Sequence, residues 1–164
     1  VFLILNLNPK LNKMKKNVPF IALVLVAILC FVFPNGSVLE VKDTQIDTGD
    51  TAWLLVSTAL VLLMTPGLAF FYGGMVRKKN VISTMLQSFV CMGLITILWI
   101  VFGFSLAFGE DIGGIIGDPR TFFMMKHTLG NASWSLMPTV PLILFAMFQL
   151  KFAVITPALI TGAF

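Results

Sequence analysis

Charged residues are scarce in this sequence. Asp, Glu, Lys and Arg make up 11% of its 164 residues, whereas hydrophobic residues make up 58%. A soluble globular domain carries about one quarter charged residues, so this composition excludes an ordinary soluble domain and indicates a membrane protein. The net charge is +4, and the cations lie beside apolar runs rather than along a basic face. We therefore expect no nucleic-acid partner.

The residues that build catalytic and metal sites are also few. The chain has a single histidine, His127, and two cysteines, Cys30 and Cys91, both inside hydrophobic runs. That placement argues against a disulfide framework or a metal site and favours a packing role. His127 lies in a polar connection, where a solvated side chain is expected. The sequence shows no nucleophile–base pair and no paired carboxylates, so we expect no catalytic residues, no cofactor and no enzyme.

Long apolar runs dominate the rest of the chain. Ala52–Val76 is an uncharged run of about 25 residues, which at ~1.5 Å per residue crosses a ~30 Å hydrocarbon core. It ends in Arg77, Lys78 and Lys79, which mark the membrane edge because a cation at the bilayer centre costs ~2.5–3.5 kcal/mol. The sequence predicts an all-α polytopic membrane protein, with helices at about residues 51–76, 81–108 and 138–164.

The two ends of the chain carry their own signals. Lys15 and Lys16 precede the apolar stretch Val18–Phe33, a layout typical of a secretory signal peptide. We predict a signal peptide at residues 14–37, with an uncleaved anchor helix as the alternative, after an uncertain leader at residues 1–13. Residues 38–50 are predicted to form an external segment. Because the third apolar run reaches Phe164 without a charged flank, we expect the chain to be a fragment.

The distribution of cations predicts an orientation. Positive-inside bias places the short loop Arg77–Lys79 in the cytoplasm, so the first helix runs inward and the second outward. The connection Gly109–Met137 is then external, and its glycines favour a flexible loop over a phosphate-binding loop. Thr48 or Asp50 is predicted to cap the first helix.

Three stretches resemble a known family. The sequence P-G-L-A-F-F-Y-G-G-M-V-R-K-K-N-V-I-S at Pro66–Ser83 resembles the first-helix signature of the ammonium transporter (Amt/Mep/Rh) family. Trp99–Glu110 is similar to the end of the family's second helix, and Phe148–Phe164 to its third. The resemblance covers Asp50–Phe164. It implies the ammonium transporter fold of about eleven helices, of which the first three are present here.

The resemblance also implies a function. Family members transport ammonium through a hydrophobic pore in each subunit of a homotrimer, and transport involves deprotonation. The expected location is the cell membrane, or the inner membrane in a bacterium, with the lipid bilayer as surroundings. A cytoplasmic PII-type signal protein is an expected partner. An ammonium sensor of the same fold and a non-transporting subunit that packs in the membrane remain alternatives, whereas the match at Phe148–Phe164 disfavours the Rh-type gas channels.

An aromatic stripe marks the third helix. At 100° per residue, one face carries Phe145, Phe148, Phe152, Ile155 and Leu159, and ordinary packing alone would account for such a stripe. The resemblance implies that Phe148 and Phe152 stand at the outer vestibule, where substrate is recruited, and that Phe152 helps to gate the pore. It implies pore-lining or pore-adjacent positions for Leu68, Phe71, Tyr72, Ile155 and Leu159. Lys151 points about 100° away from Phe152, so it need not enter the pore.

Overall fold

Helices make up most of the described part of the chain. The computed structural model describes residues 9–32, 46–129 and 137–160. Its α-helices are α1 (Pro9–Val32), α2 (Thr48–Met75), α3 (Val81–Leu98), α4 (Phe104–Phe108) and α5 (Leu142–Ile160). Three segments are long and apolar enough to cross a membrane, namely Thr48–Met75, Lys78–Phe108 and Leu142–Ile160. The prediction of an all-α polytopic membrane protein is confirmed.

Helix α1 crosses the boundary predicted at Met14. It begins at Pro9, inside the predicted leader, and ends at Val32. Most of its described apolar side chains, such as Phe20 and Ile21, are exposed. The end of the predicted signal peptide, at residues 33–37, lies outside the described residues, so the signal peptide stays a prediction.

The start of α2 is capped by Asp47, so the prediction of Thr48 or Asp50 was wrong. Asp47 has an extended backbone, and its side chain accepts a hydrogen bond from the Asp50 N–H at 2.9 Å. The carboxylate of Asp50 instead accepts from the Thr139 hydroxyl at 2.6 Å. The Asp47 N–H donates to the Thr139 carbonyl at 2.9 Å. These bonds tie the start of α2 to the turn before α5, so both helices begin at the same end of the bundle.

Small side chains let the three long helices approach one another. Thr65, Ala69 and Gly73 recur every fourth residue of α2 and are all buried. A Cβ on Gly73 would lie 3.1 Å from the Met85 Cγ, which shows how closely α3 packs there. Helices α2, α3 and α5 each pack against the other two. Close approach of this kind supplies the van der Waals contact that holds helices together in lipid.

A π-helical turn interrupts the second membrane segment. Residues Trp99–Gly103 form this turn between α3 and α4, so the segment is not one regular α-helix. A π turn accommodates an extra residue and changes which side chains face a neighbouring helix. The ring of Phe104, immediately after the turn, is fully buried.

Buried aromatic and aliphatic side chains form a cluster where α4, α5 and the loop after α4 meet. This aromatic cluster consists of Phe104, Phe122, Met125, Leu142, Phe145 and Ala146, with Trp99, Ile100, Phe108, Met137 and Ile143 packed around it. The remaining apolar surface of the long helices is largely exposed, as expected for helices that face lipid or further helices. The aromatic cluster therefore lies at one end of the bundle, and further buried residues such as Ala69, Leu150 and Val154 lie along the packed helices.

The connection after α4 is folded through residue 129. Strand β1 (Asp111–Ile112) pairs antiparallel with strand β2 (Ile116–Gly117), and Gly113 and Gly114 make the turn at φ values of 67° and 76°. A Cβ on Gly117 would lie 2.5 Å from the Ser105 carbonyl oxygen, so this glycine permits a close approach to α4. The expectation of a flexible loop is corrected for the described part, which we call the 109–129 loop.

Candidate functional site

Phe148 and Phe152 contact each other on one side of α5. Their ring centroids lie 5.1 Å apart at an interplanar angle of 73°, an edge-to-face arrangement. Phe148 is half-buried, and Phe152 keeps 44% of its surface exposed. The spacing of one helical turn brings the two rings together as the sequence predicts. The pair therefore offers an aromatic surface that the described residues do not cover.

The stripe on α5 divides into a packed part and an uncovered part. Phe145 is buried in the aromatic cluster, where its ring lies 5.1 Å from that of Phe108. Ile155 is half-buried and Leu159 is 49% exposed, like the Phe148–Phe152 pair before them. At ~1.5 Å per residue from Leu142, Phe148 lies ~9 Å and Phe152 ~15 Å along the helix axis. Beyond Phe145, the stripe faces outward from the described residues.

Leu68, Phe71 and Tyr72 lie near the far end of α2. Phe71 is 61% exposed, whereas Leu68 and Tyr72 are half-buried. The Phe71 and Tyr72 rings lie 5.6 Å apart, but among the described residues no ring contact joins them to Phe148 or Phe152. Since α2 and α5 begin at the same end, Phe71 is ~35 Å along its helix while Phe148 is only ~9 Å along its own. The two aromatic pairs therefore sit at different depths.

Lys151 is a charge directly before Phe152. Its side chain is half-buried, and within the described ranges it makes no ion pair. It lies about 100° around the helix axis from Phe152, so the two side chains leave α5 in different directions.

Charge is distributed unequally between the two ends of the bundle. Asp47, Asp50, Glu110 and Asp111 lie at the end where α2 and α5 begin, which we call the acidic end. This end also holds Lys126 and His127, whose side chains are both exposed. Exposed Arg77, Lys78 and Lys79 lie at the opposite, basic end. The Phe148–Phe152 pair is nearer the acidic end, where the field favours cations.

The Ser105 hydroxyl holds the 109–129 loop on α4, and an ion pair between Asp118 and the partly exposed Arg120 lies within the loop. Asp118 is 4% exposed and accepts from the Arg120 Nε at 3.0 Å and Nη2 at 2.6 Å. The Ser105 hydroxyl donates to the Asp118 carbonyl at 3.0 Å and accepts from the Phe122 N–H at 2.7 Å. Ser105 thereby satisfies backbone groups on both sides of the loop. This arrangement seats the Phe122 ring 5.1 Å from that of Phe104.

Trp99 joins the second membrane segment to α5. Its indole N–H donates to the Ala146 carbonyl at 3.2 Å, across 47 residues of chain. From the sequence alone, Trp99 was recognised only as the start of a family-like stretch, and this contact was missed. A signal was available, since a tryptophan inside a membrane segment needs an acceptor for its N–H. The Ser105–Asp118 contacts carried no comparable signal, because they depend on how the loop folds back.

The architecture defines the class of protein. The described residues contain three packed apolar helices, each long enough to span a membrane. Basic residues lie in the short connection between two of these helices. This chain is therefore part of a multi-pass membrane protein.

Comparison with known proteins then gives the family. A model of the Ammonium Transporter Family matches residues 52–164. The chain is 49% identical over 130 residues to an ammonium transporter of Mycobacterium tuberculosis, covering 71% of this chain and 27% of that protein. It is 42% identical over 144 residues to an ammonium transporter of Aquifex aeolicus, covering 87% and 33%. The chain belongs to the Ammonium Transporter Family, which confirms the resemblance.

The relatives are longer than this chain. An ammonium transporter of Bacillus subtilis is 45% identical over 116 residues, which cover 71% of this chain and 28% of that protein. The chain thus spans about a quarter to a third of the length of the curated relatives it matches.

Proposed function

We propose that this chain takes part in moving ammonium across a cell membrane. The observation that carries the proposal is the Phe148–Phe152 pair, an edge-to-face aromatic contact on an uncovered face of α5, near the acidic end. Aromatic ring faces attract a small cation, and the attraction grows as water is excluded. Membership of the family and the names of the relatives support ammonium as that cation.

Each aromatic residue has its own part in the proposal. Phe148 lies nearer the start of α5 and receives the cation through its ring face. Phe152, one turn further on, restricts entry to the apolar passage beyond it. Ile155 and Leu159 line that passage from α5, and Leu68, Phe71 and Tyr72 contribute from α2. An apolar passage disfavours an unpaired charge but admits a neutral molecule, so the substrate loses a proton as it passes inward.

The complete assembly is part of the proposal. The pore is completed by further helices, and three subunits form a homotrimer with one pore each. A PII-type signal protein binds on the cytoplasmic side, which is the basic end of the bundle. A sensor of the same fold would bind ammonium without net uptake, and a subunit that only packs in the membrane would do neither. No observation favours either alternative over transport.

The orientation can be tested directly. We expect reporter fusions after Lys79 to behave as cytoplasmic and fusions in the Gly113–Gly117 turn to behave as external, because basic loops remain inside. Neutralising Arg77, Lys78 and Lys79 should weaken this orientation without abolishing insertion, since apolar length drives insertion. Alkaline phosphatase and fluorescent protein fusions give the two signals. The reverse pattern would place the Phe148–Phe152 pair on the wrong side for recruitment.

Phe148→Leu in the complete protein tests recruitment. Leucine keeps much of the apolar volume but lacks the ring face, so the apparent affinity for ammonium should fall. The expected fall is about 2- to 30-fold, from a cation–π contribution of ~0.5–2 kcal/mol. Competition of ammonium with uptake of radiolabelled methylammonium, in cells lacking their own ammonium transporters, measures it.

The matched control for that experiment is Phe70→Leu. Phe70 is 65% exposed on α2 and has no part in the proposed site, so the same substitution there should leave apparent affinity unchanged. Membrane abundance and trimer assembly must match the unmodified protein. Equal affinities for the two variants would show that the Phe148 ring only packs. Absence of uptake by the unmodified protein would overturn transport itself.

A further inference from the structure

The orientation of Trp99 is restricted by one hydrogen bond and by the close approach of Gly103. Its indole N–H donates to the Ala146 carbonyl at 3.2 Å, and Ala146 is fully buried. A Cβ added to Gly103 would lie 3.2 Å from the Trp99 Cε3, so an alanine there would require the ring to shift. Both residues belong to the π-helical turn, which places the indole and its glycine contact on the same side of the segment. The orientation of the indole is therefore specified.

The acceptor of this bond lies close to the aromatic pair. Ala146 precedes Phe148 by two residues on the same helix, and its neighbour Phe145 is packed in the aromatic cluster. The Trp99 bond is a directional polar contact between the second membrane segment and α5. Apolar contacts between α3 and α5 specify depth weakly, because an apolar helix meets similar surroundings after a small slide. A hydrogen bond in hydrocarbon is lost on such a slide, and leaving its donor unpaired is costly.

We propose that Trp99 is a positioning residue that sets the depth of α5, and through it the depth of the Phe148–Phe152 pair. The part that concerns transport rests on the proposed function. Trp99 itself contacts no substrate in this proposal. The indole anchors α5 through a main-chain carbonyl, so the anchor does not depend on the side chain at position 146.

The first experiment measures the position of residue 148 and does not depend on transport activity. In the complete protein with Cys30 and Cys91 replaced by alanine, Phe148→Cys introduces a thiol at the site. A membrane-impermeant maleimide then measures its accessibility with and without Trp99→Phe, which keeps a ring but removes the N–H donor. We expect the labelling rate to change by about 2- to 12-fold, the range for loss of one neutral hydrogen bond. A thiol at Ile116→Cys, on the hairpin, should label at the same rate in both backgrounds.

The second measurement asks whether Trp99 acts through Phe148. Trp99→Phe should raise the KM for methylammonium more than it lowers the maximal rate. In a double-mutant cycle, Trp99→Phe combined with Phe148→Leu should have nearly the KM of Phe148→Leu alone, because the positioned ring is already gone. Trp53→Phe is the matched control, since that indole is 75% exposed on α2. Its effect on KM should be negligible alone and additive in combination.

A second variant covers the case in which Trp99→Phe does not reach the membrane. Gly103→Ala keeps the indole but crowds its ring, so it should change labelling of the thiol at position 148 in the same way. An unchanged labelling rate in whichever variant assembles, or additive effects on KM, would overturn the proposal. A changed labelling rate, together with an unmodified protein that shows no uptake, would support the positioning role while overturning ammonium transport.

Discussion

Phe152→Ala in the complete protein is expected to alter the rate or ion selectivity of transport more than the apparent affinity. The Phe152 ring is 44% exposed and rests edge-to-face on Phe148, so it lies beside the proposed recruitment position rather than in it. Truncation to alanine opens the proposed restriction, and water and small ions then reach the apolar passage. A fully packed phenylalanine would cost ~3–5 kcal/mol on truncation, and the exposure of this ring implies a smaller loss of stability.

Rate and selectivity are measured together in this experiment. Uptake of methylammonium gives the rate, and ammonium- and potassium-dependent currents in reconstituted membranes give the selectivity. Phe70→Ala is the control, because it removes the same atoms from a ring that is 65% exposed on α2. If Phe152→Ala assembles normally and neither rate nor selectivity departs from the Phe70→Ala values, then the α5 stripe is only a packing surface.

Gly109→Ala is expected to have the largest effect on stability of the single changes considered. A Cβ at this position would clash with the Ser105 carbonyl oxygen and lie 2.6 Å from the Asp118 carbonyl oxygen. Both obstacles are main-chain atoms, which cannot rotate away as a flexible side chain would. The clash lies beside the Ser105 hydroxyl, which bonds the Asp118 carbonyl and the Phe122 N–H. Moving the loop away to relieve the clash would therefore also break these two hydrogen bonds. We expect the free energy of unfolding to fall by at least ~1–3 kcal/mol.

Thermal unfolding of the purified protein in detergent measures this loss. Gly74→Ala is the matched control, because a Cβ there meets nothing within 4 Å. In a helix, alanine is favoured over glycine by ~0.5–1 kcal/mol, so that variant should be as stable as the unmodified protein or slightly more so. Equal melting temperatures for the two variants would contradict the close approach of Gly109 to α4.

The membrane segments could be predicted because one physical term dominates them. A run such as Ala52–Val76 has to match the thickness of the hydrocarbon, and the cost of placing Arg77 inside it marks the end. Local helix propensity matters little beside these two membrane terms, so Pro66 does not break α2. The adjacency of Phe148 and Phe152 follows in the same way from helical spacing alone.

The details that escaped prediction depend on residues far apart in the chain. Asp47, Thr48 and Asp50 are all good capping residues. The observed choice goes with two contacts to Thr139, whose hydroxyl donates to the Asp50 carboxylate and whose carbonyl accepts from the Asp47 N–H. The π turn at Trp99–Gly103 likewise leaves the apolar pattern intact, because every residue in it is uncharged. Phe145 shares a helix face with Phe148, yet it is buried because α4 supplies Phe108 as its neighbour.

The start of α2 gains its contacts with Thr139 late in the synthesis of the chain. Thr139 follows Asp50 by 89 residues, and at ~5–20 residues per second the ribosome takes roughly 4–18 s to add them. The Asp47 cap joins residues only three apart, so it forms as soon as α2 does. During synthesis, α2 therefore enters the bilayer with the Asp47 cap in place, before the Asp50 carboxylate can accept a hydrogen bond from Thr139. The hydrogen bonds between the start of α2 and Thr139 form only after the segment that leads into α5 has left the ribosome.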